Sequence, residues 1–164
     1  MMNRKVKQFF NVKTIVISSL IAAIYATLTI LLAPISYGPI QVRVSEALTL
    51  LPYLWVEAIP GLFIGCLISN FVGGFGLIDV VFGSIATLAA AVVTSRMPNP
   101  YMAAVPPVVF NSLIVGGYLS VLAKMPFTYT ALYVGLGEII ACGFLGIPLV
   151  IFLERKVLKR EGKD

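Results

Sequence analysis

Arg43 and Glu46, Asn70, Asp79, Asn111 and Glu138 are charged or amide side chains set inside long apolar runs. Their chemistry is hydrogen bonding and charge pairing. Nucleophilic or metal chemistry finds few of its usual parts. The chain contains no His, which removes common zinc sites, Ser–His and Cys–His pairs and imidazole relays. An intramembrane aspartyl pair needs two Asp residues, and Asp79 is the one Asp within an apolar run. No Lys falls inside a run to activate a Ser. Cys66 and Cys142 lack a CxxC partner and read as buried packing residues. No G-x-x-x-x-G-K-[ST] is present, so the sequence carries no P-loop, and an enzyme or ATPase is not the expected activity.

The elements that position these residues must be membrane helices. Of 164 residues, 59% are hydrophobic and 12% charged, with a mean hydropathy of +0.99. A soluble globule would be about one quarter charged. Nine of the 12 Lys and Arg lie in residues 1–13 and 155–163, so the chain has basic ends and an oily middle rather than a nucleic-acid-binding face. Runs near the length of a membrane helix fall at 14–33, 56–73, 76–95, 101–123 and 128–153, with a shorter one at 40–54. Gly73-Gly74 and Met97-Pro98-Asn99-Pro100 punctuate them. The first run is too long for a signal-peptide core and is read as an uncleaved span.

Both basic ends stay in the cytoplasm under the positive-inside rule, which requires an even number of spans. The expected fold is therefore an all-α integral membrane protein, one compact domain of six transmembrane helices with both termini cytoplasmic. Arg96 then falls inside, while Arg43 and Lys124 are exceptions on the outside. Trp55 lies at the inner boundary as an interface anchor.

On this topology the polar residues collect in the outer half of the bundle. Glu138 lies roughly 15 Å below the outer start of its helix. A charged side chain at mid-span costs about 2.5–3.5 kcal/mol on insertion scales, so it persists where it is paired or lines a wet cavity. One reading is structural: Asp79 near a helix start, Arg43 with Glu46 as an i, i+3 pair, and Asn70 and Asn111 as interhelical glue. The other is a pocket, open to the outside, that hydrogen-bonds a small polar molecule. Small residues form a second pattern. Ser18, Ala22 and Ala26 recur every fourth position, with Ser19, Ala23 and Thr27 beside them, and Gly61 and Gly65 make a GxxxG. Such stripes serve internal packing or docking of another membrane protein.

Three stretches resemble the queuosine-precursor transporter family, a group of substrate-binding S components of energy-coupling factor (ECF) transporters. They are Gln41-Val-Arg-Val-Ser-Glu-Ala-Leu-Thr-Leu-Leu-Pro52, the segment Gly65 to Gly74, and the segment Gly76 to Ile85. The resemblance covers about residues 14–153. It implies a 7-deazaguanine ligand with a 7-aminomethyl or 7-cyano substituent, in the cell membrane of a prokaryote. It also implies a transmembrane coupling (T) subunit and two cytoplasmic ATPases as partners, so that ATP is used by those partners and no cofactor sits in this chain. The Ala22-x-x-x-Ala26 stripe is similar to the first-helix motif by which S components meet the coupling subunit, which makes Ser18, Ala22 and Ala26 candidate docking residues. For such a ligand Glu46, Asp79 or Glu138 can face the ring donors, and Arg43, Asn70 or Asn111 the ring carbonyl. Tyr37 and Tyr129 are candidate aromatic lids. The rival reading is a self-sufficient carrier or channel, which would carry polar residues through the inner half or inverted repeats with broken helices.

Overall fold

The computed structural model describes residues 11–38 and 41–161, with side chains as far as Lys156. The bases Arg4, Lys5, Lys7 and Lys163 and the expected start of the second span at Ile40 lie outside the described residues. Every regular element among those described is helical. Helix α1 spans Val12–Leu31 and is capped by Asn11, whose side chain accepts from the Lys13 N–H. A single turn, Ala33–Ser36, begins around Pro34. A 3-10 helix follows at Val44–Tyr53. Helix α2 is Ala58–Gly73, and it stops at Gly74, which has a φ of 77°. Helices α3 (Asp79–Thr94), α4 (Pro100–Ala123) and α5 (Phe127–Lys156) complete the order. α4 is interrupted at Ala104, just before Pro106 and Pro107, because a proline supplies no N–H to the preceding turn.

α1, α4 and α5 have 20, 24 and 30 residues and are long and apolar enough to cross a bilayer, while α2 and α3 are shorter apolar helices. The surface is oily: Val12, Leu31, Phe71, Leu77, Val121 and Phe144 are all more than 70% exposed. The interior holds Arg43, Glu46, Asn70, Asp79, Asn111 and Glu138. Water would favour the reverse arrangement; lipid on the outside favours this one. The chain is an all-helical membrane protein.

Contacts fix the relative direction of α1 and α2. The Ser18 hydroxyl donates to the Glu57 carbonyl at 2.8 Å. Farther along, Gly65 packs on Ala22 and Tyr25, and the Tyr37 hydroxyl reaches the Ser69 carbonyl at 2.6 Å. Sequence numbers rise together on both partners, so α1 and α2 run parallel. The chain between them must therefore return across the bundle, and the 3-10 helix is the segment that makes the return. Ten residues of 3-10 helix rise roughly 20 Å at about 2 Å each.

That helix differs from the expected second span in kind. It is not an ordinary membrane helix with a lipid-facing side. Ser45, Glu46, Ala47, Thr49, Leu50, Leu51 and Pro52 are all buried, and the segment packs against α1, α2, α3, α4 and α5. The cause lies in its residues: a stretch carrying Arg43, Ser45, Glu46 and Thr49 cannot turn any broad face to lipid. The small-residue stripe has a comparable outcome. Ser18, Ala22 and Ala26 are 6–8% exposed, and Ala22 lies against the backbone of Gly65, where an added Cβ would come within 3.0 Å of the Ala22 carbonyl oxygen. Ser18 and Ala22 lie in the α1–α2 packing seam and Ala26 is buried as well, so within the isolated chain these three face inward. Ser19, Ala23 and Thr27, one position round the helix, are the exposed stripe.

Candidate ligand-binding site

The site is built around the start of the 3-10 helix. With three residues per turn, side chains at i and i+3 eclipse, which stacks Arg43, Glu46 and Thr49 on one face. The Arg43 carbonyl opens the helix by accepting the Glu46 N–H at 2.9 Å. Arg43 itself is held from two sides. Its Nη1 donates to Asn70 Oδ1 at 2.9 Å, and its Nη2 stands 4.0 Å from Asp79 Oδ1. The guanidinium also lies 5.6 Å from the Tyr37 ring centroid. Of the pairs offered by the structural reading, Arg43 with Glu46 gives way to Arg43 with Asp79. The Tyr118 hydroxyl donates to Asp79 Oδ1, and the Tyr25 hydroxyl donates to Glu46 Oε1.

A second group faces the first. Asn111 on α4 donates through Nδ2 to Glu138 Oε1 on α5 at 2.7 Å. One turn on from Glu138, the Cys142 thiol stands 3.5 Å from Glu138 Oε2 and 3.4 Å from the Glu46 carbonyl. Arg43, Glu46, Asn111 and Glu138 border one chamber of about 10 Å³, together with Gln41, Gly83, Thr87, Val115 and Val134. That volume holds about one water. Against it lies a cleft of about 330 Å³ lined by Tyr37, Gly38, Phe75, Leu119, Met125 and Tyr133 among others. Gln41 and Val134 belong to both walls. Gln41 has a φ of 47°, a left-handed conformation unusual for a residue with a side chain.

Two features single out this layer of the bundle. First, wide π turns start at Asp79 in α3, at Asn111 in α4, and at Ile139, directly after Glu138, in α5. Such turns are frequent at functional sites. Second, Arg43 Nε and Nη2, Glu46 Oε2 and Asp79 Oδ2 are buried without a hydrogen-bond partner. An unpaired buried polar atom costs about 1–3 kcal/mol, and more when the group is charged. Unpaired donors and acceptors converging on one place are what a hydrogen-bonding ligand would satisfy.

With that geometry in place, the chain can be set beside known proteins. A model of the QueT transporter family matches residues 15–155. The chain belongs to the QueT transporter family. A stretch of 76 residues is 45% identical to the queuosine precursor transporter QueT of Lactococcus lactis subsp. cremoris (strain MG1363). The match takes in 45% of this chain and 44% of that relative, so it spans less than half of the curated protein's length. No solved structure matches.

Among the residues singled out from the sequence of this QueT family member, Arg43, Glu46, Asn111 and Glu138 border the chamber. Asn70 and Asp79 stand behind Arg43. Tyr37 lines the cleft, its ring 5.9 Å from that of Phe75. Tyr129 lines neither cavity and is 56% exposed. The aromatic ring on the cleft wall from that helix belongs to Tyr133, one turn farther on, and the expectation for Tyr129 is corrected. Tyr25, Tyr118 and Cys142 were not foreseen. Helical spacing carried a signal for one of them: Cys142 is i+4 from Glu138 and shares its face.

Proposed function

We propose that this chain is the substrate-binding S component of an ATP-driven ECF importer and that it captures a 7-deazaguanine derivative from outside the cell. The reading rests on the buried chamber where the unpaired atoms of Arg43 and Glu46 meet the Asn111–Glu138 pair. The Asn111–Glu138 pair offers an amide beside a carboxylate, a pattern complementary to the N–H and carbonyl edge of a guanine-like ring. Arg43 supplies further donors for the ring carbonyl. The cleft reaches the lower end of the size range of small-molecule sites, about 300 Å³, and its aromatic wall suits a flat heterocycle. A chamber with room for one water must widen to admit that ring, and Gln41 and Val134, shared by both cavities, stand where it would pass.

In this reading the polar layer lies nearer the outer surface. Six traversals, counting the 3-10 helix, keep both termini in the cytoplasm of a prokaryotic cell, as the basic ends favour. The chain carries no P-loop, so hydrolysis falls to two ATPase partners acting through a transmembrane coupling subunit. The coupling face is the exposed Ser19, Ala23 and Thr27 stripe of α1, where small side chains let a partner helix approach closely. Uptake in a strain dependent on the external precursor tests the proposal. Uptake is expected with the coupling subunit and ATPases co-expressed and absent without them. Accumulation by this chain alone would make it a self-sufficient carrier.

A further inference from the structure

The charges around the chamber do not balance. Glu46, Asp79 and Glu138 are three buried carboxylates, and Arg43 is the base among them. Asp79 Oδ1 is the acid oxygen paired with Arg43, at 4.0 Å. Glu46 and Glu138 receive hydrogen bonds from neutral groups, the Tyr25 hydroxyl and the Asn111 amide. The other bases with described side chains are elsewhere: Lys13 at the start of α1, Arg96 after α3, Lys124 after α4, and Arg155 and Lys156 at the end of α5. Among the described side chains, two carboxylates therefore share the chamber wall with a single base, Arg43, that is already paired with Asp79.

The two are not equivalent. Both oxygens of Glu138 have neighbours, Asn111 Nδ2 at 2.7 Å and the Cys142 thiol at 3.5 Å. Beside Asn111, Glu138 presents a planar donor–acceptor edge. Glu46 has one oxygen taken by Tyr25, while Oε2 has no partner although the residue is 1% exposed. That oxygen is a point acceptor on the chamber wall, and Arg43, the base beside it, is shared with Asp79, so the charge there is only partly balanced. A neutral ligand would leave it so. A ligand bearing an ammonium group would donate to it and cancel one of the two charges in a setting of low dielectric, where such pairing counts for most.

We propose that Glu46 reads a positively charged substituent on the ligand, so that the site takes an amine-bearing 7-deazaguanine in preference to neutral relatives. This rests on the 7-deazaguanine reading above and adds the residue that decides between members of the class. The test is calorimetry on the purified full chain with three compounds: 7-aminomethyl-, 7-hydroxymethyl- and 7-cyano-7-deazaguanine. The hydroxymethyl compound matches the amine in size and can donate a hydrogen bond, but is uncharged. The amine is expected to bind at least about tenfold more tightly than either neutral compound, the scale of one charge-assisted bond. Glu46→Gln is expected to remove most of that preference by weakening the amine while leaving the nitrile nearly unchanged. Equal or tighter binding of a neutral compound by the unmodified protein would overturn the proposal, and this comparison stands even if the variant fails to fold. Equal weakening of all three compounds by Glu46→Gln would also overturn it, placing Glu46 on the ring. Binding of none of the three would remove the 7-deazaguanine reading itself, and the proposal with it.

Discussion

Replacing Glu138 with Gln tests ring recognition at a single atom. Glu138 is 5% exposed on α5, and Asn111 Nδ2 donates to its Oε1 at 2.7 Å. A Gln side chain has one acceptor oxygen, and Asn111 will claim it. The Gln amide nitrogen then stands where Oε2 stood, pointing donors at the ligand's own donors. The loss of one charge-assisted hydrogen bond is about 1.5–3 kcal/mol, so the dissociation constant should rise about ten- to a hundredfold. Stability should move the other way or not at all, because an amide is cheaper than a carboxylate to enclose in a membrane bundle. Calorimetry with the 7-deazaguanine compounds, alongside melting curves in detergent, separates the two effects. Glu57→Gln is the matched control. Glu57 lies at the start of α2, far along the bundle from the chamber, with its side chain 31% exposed and a loose 4.0 Å contact to Lys13. It should bind ligand as the unmodified protein does. An unchanged dissociation constant for Glu138→Gln would refute the reasoning and move ring recognition to Glu46 and Asp79.

Three further substitutions address the fold and the coupling face. Gly65→Ala places a Cβ 2.9 Å from Tyr25 Cβ and 3.0 Å from the Ala22 carbonyl oxygen; the α1–α2 seam should lose about 1–3 kcal/mol to overpacking, seen as a lower melting temperature. Ala23→Trp, on the exposed stripe, should preserve ligand binding by the isolated chain and abolish co-purification with the coupling subunit, whereas Ala22→Trp should damage folding. The opposite pattern would return the docking role to the buried stripe. Single cysteines at Asn11 and Lys156 should be shielded from an impermeant thiol reagent in intact cells, and one at Pro126 labelled. Labelling of either end from outside would end the six-traversal topology.

The fold was largely legible where composition alone decides. Five of the apolar runs became helices within a few residues of their expected bounds, since lipid demands long apolar segments with internally paired backbones. The segment between α1 and α2 was legible as a distinct element but not as a 3-10 helix. Its polar residues say that it must be enclosed, yet nothing local distinguishes a tight helix from an α-helix when the surrounding helices set its length. For the site, burial carried the signal. Charged and amide residues in oily runs had to converge, and Arg43, Asn70, Asp79, Glu46, Asn111 and Glu138 did. Which of them pair was not legible: Arg43 and Glu46 are one 3-10 turn apart, but the partner of Arg43 comes from α3, 36 positions later. Tyr25 and Tyr118 escaped notice because a tyrosine in an apolar helix looks like a packing residue until a carboxylate is known to lie opposite.

The π turns connect these observations. A wide turn breaks the regular backbone ladder, and inside a membrane the freed carbonyls need other donors. In α3 side-chain donors lie on carbonyls of this layer, as hydroxyls also do in the regular helices α1 and α2. Asn70 Nδ2 reaches the Asp79 carbonyl at 3.2 Å, the Ser84 hydroxyl the Val80 carbonyl at 2.6 Å, and the Thr87 hydroxyl the Gly83 carbonyl at 3.2 Å. Across α4, the Thr130 hydroxyl takes the Gly116 carbonyl at 2.7 Å. Part of the polar content of this layer therefore serves the backbone. Asn70 does both jobs, since its oxygen holds Arg43 while its nitrogen holds the opening of the α3 turn. A ligand that drew Arg43 inward would pull on Asn70 and, through it, on the wide turn that carries Asp79. In the proposed reading, a chamber that must widen for its ligand borders the least regular layer of three helices, while the α1–α2 seam has close glycine contacts.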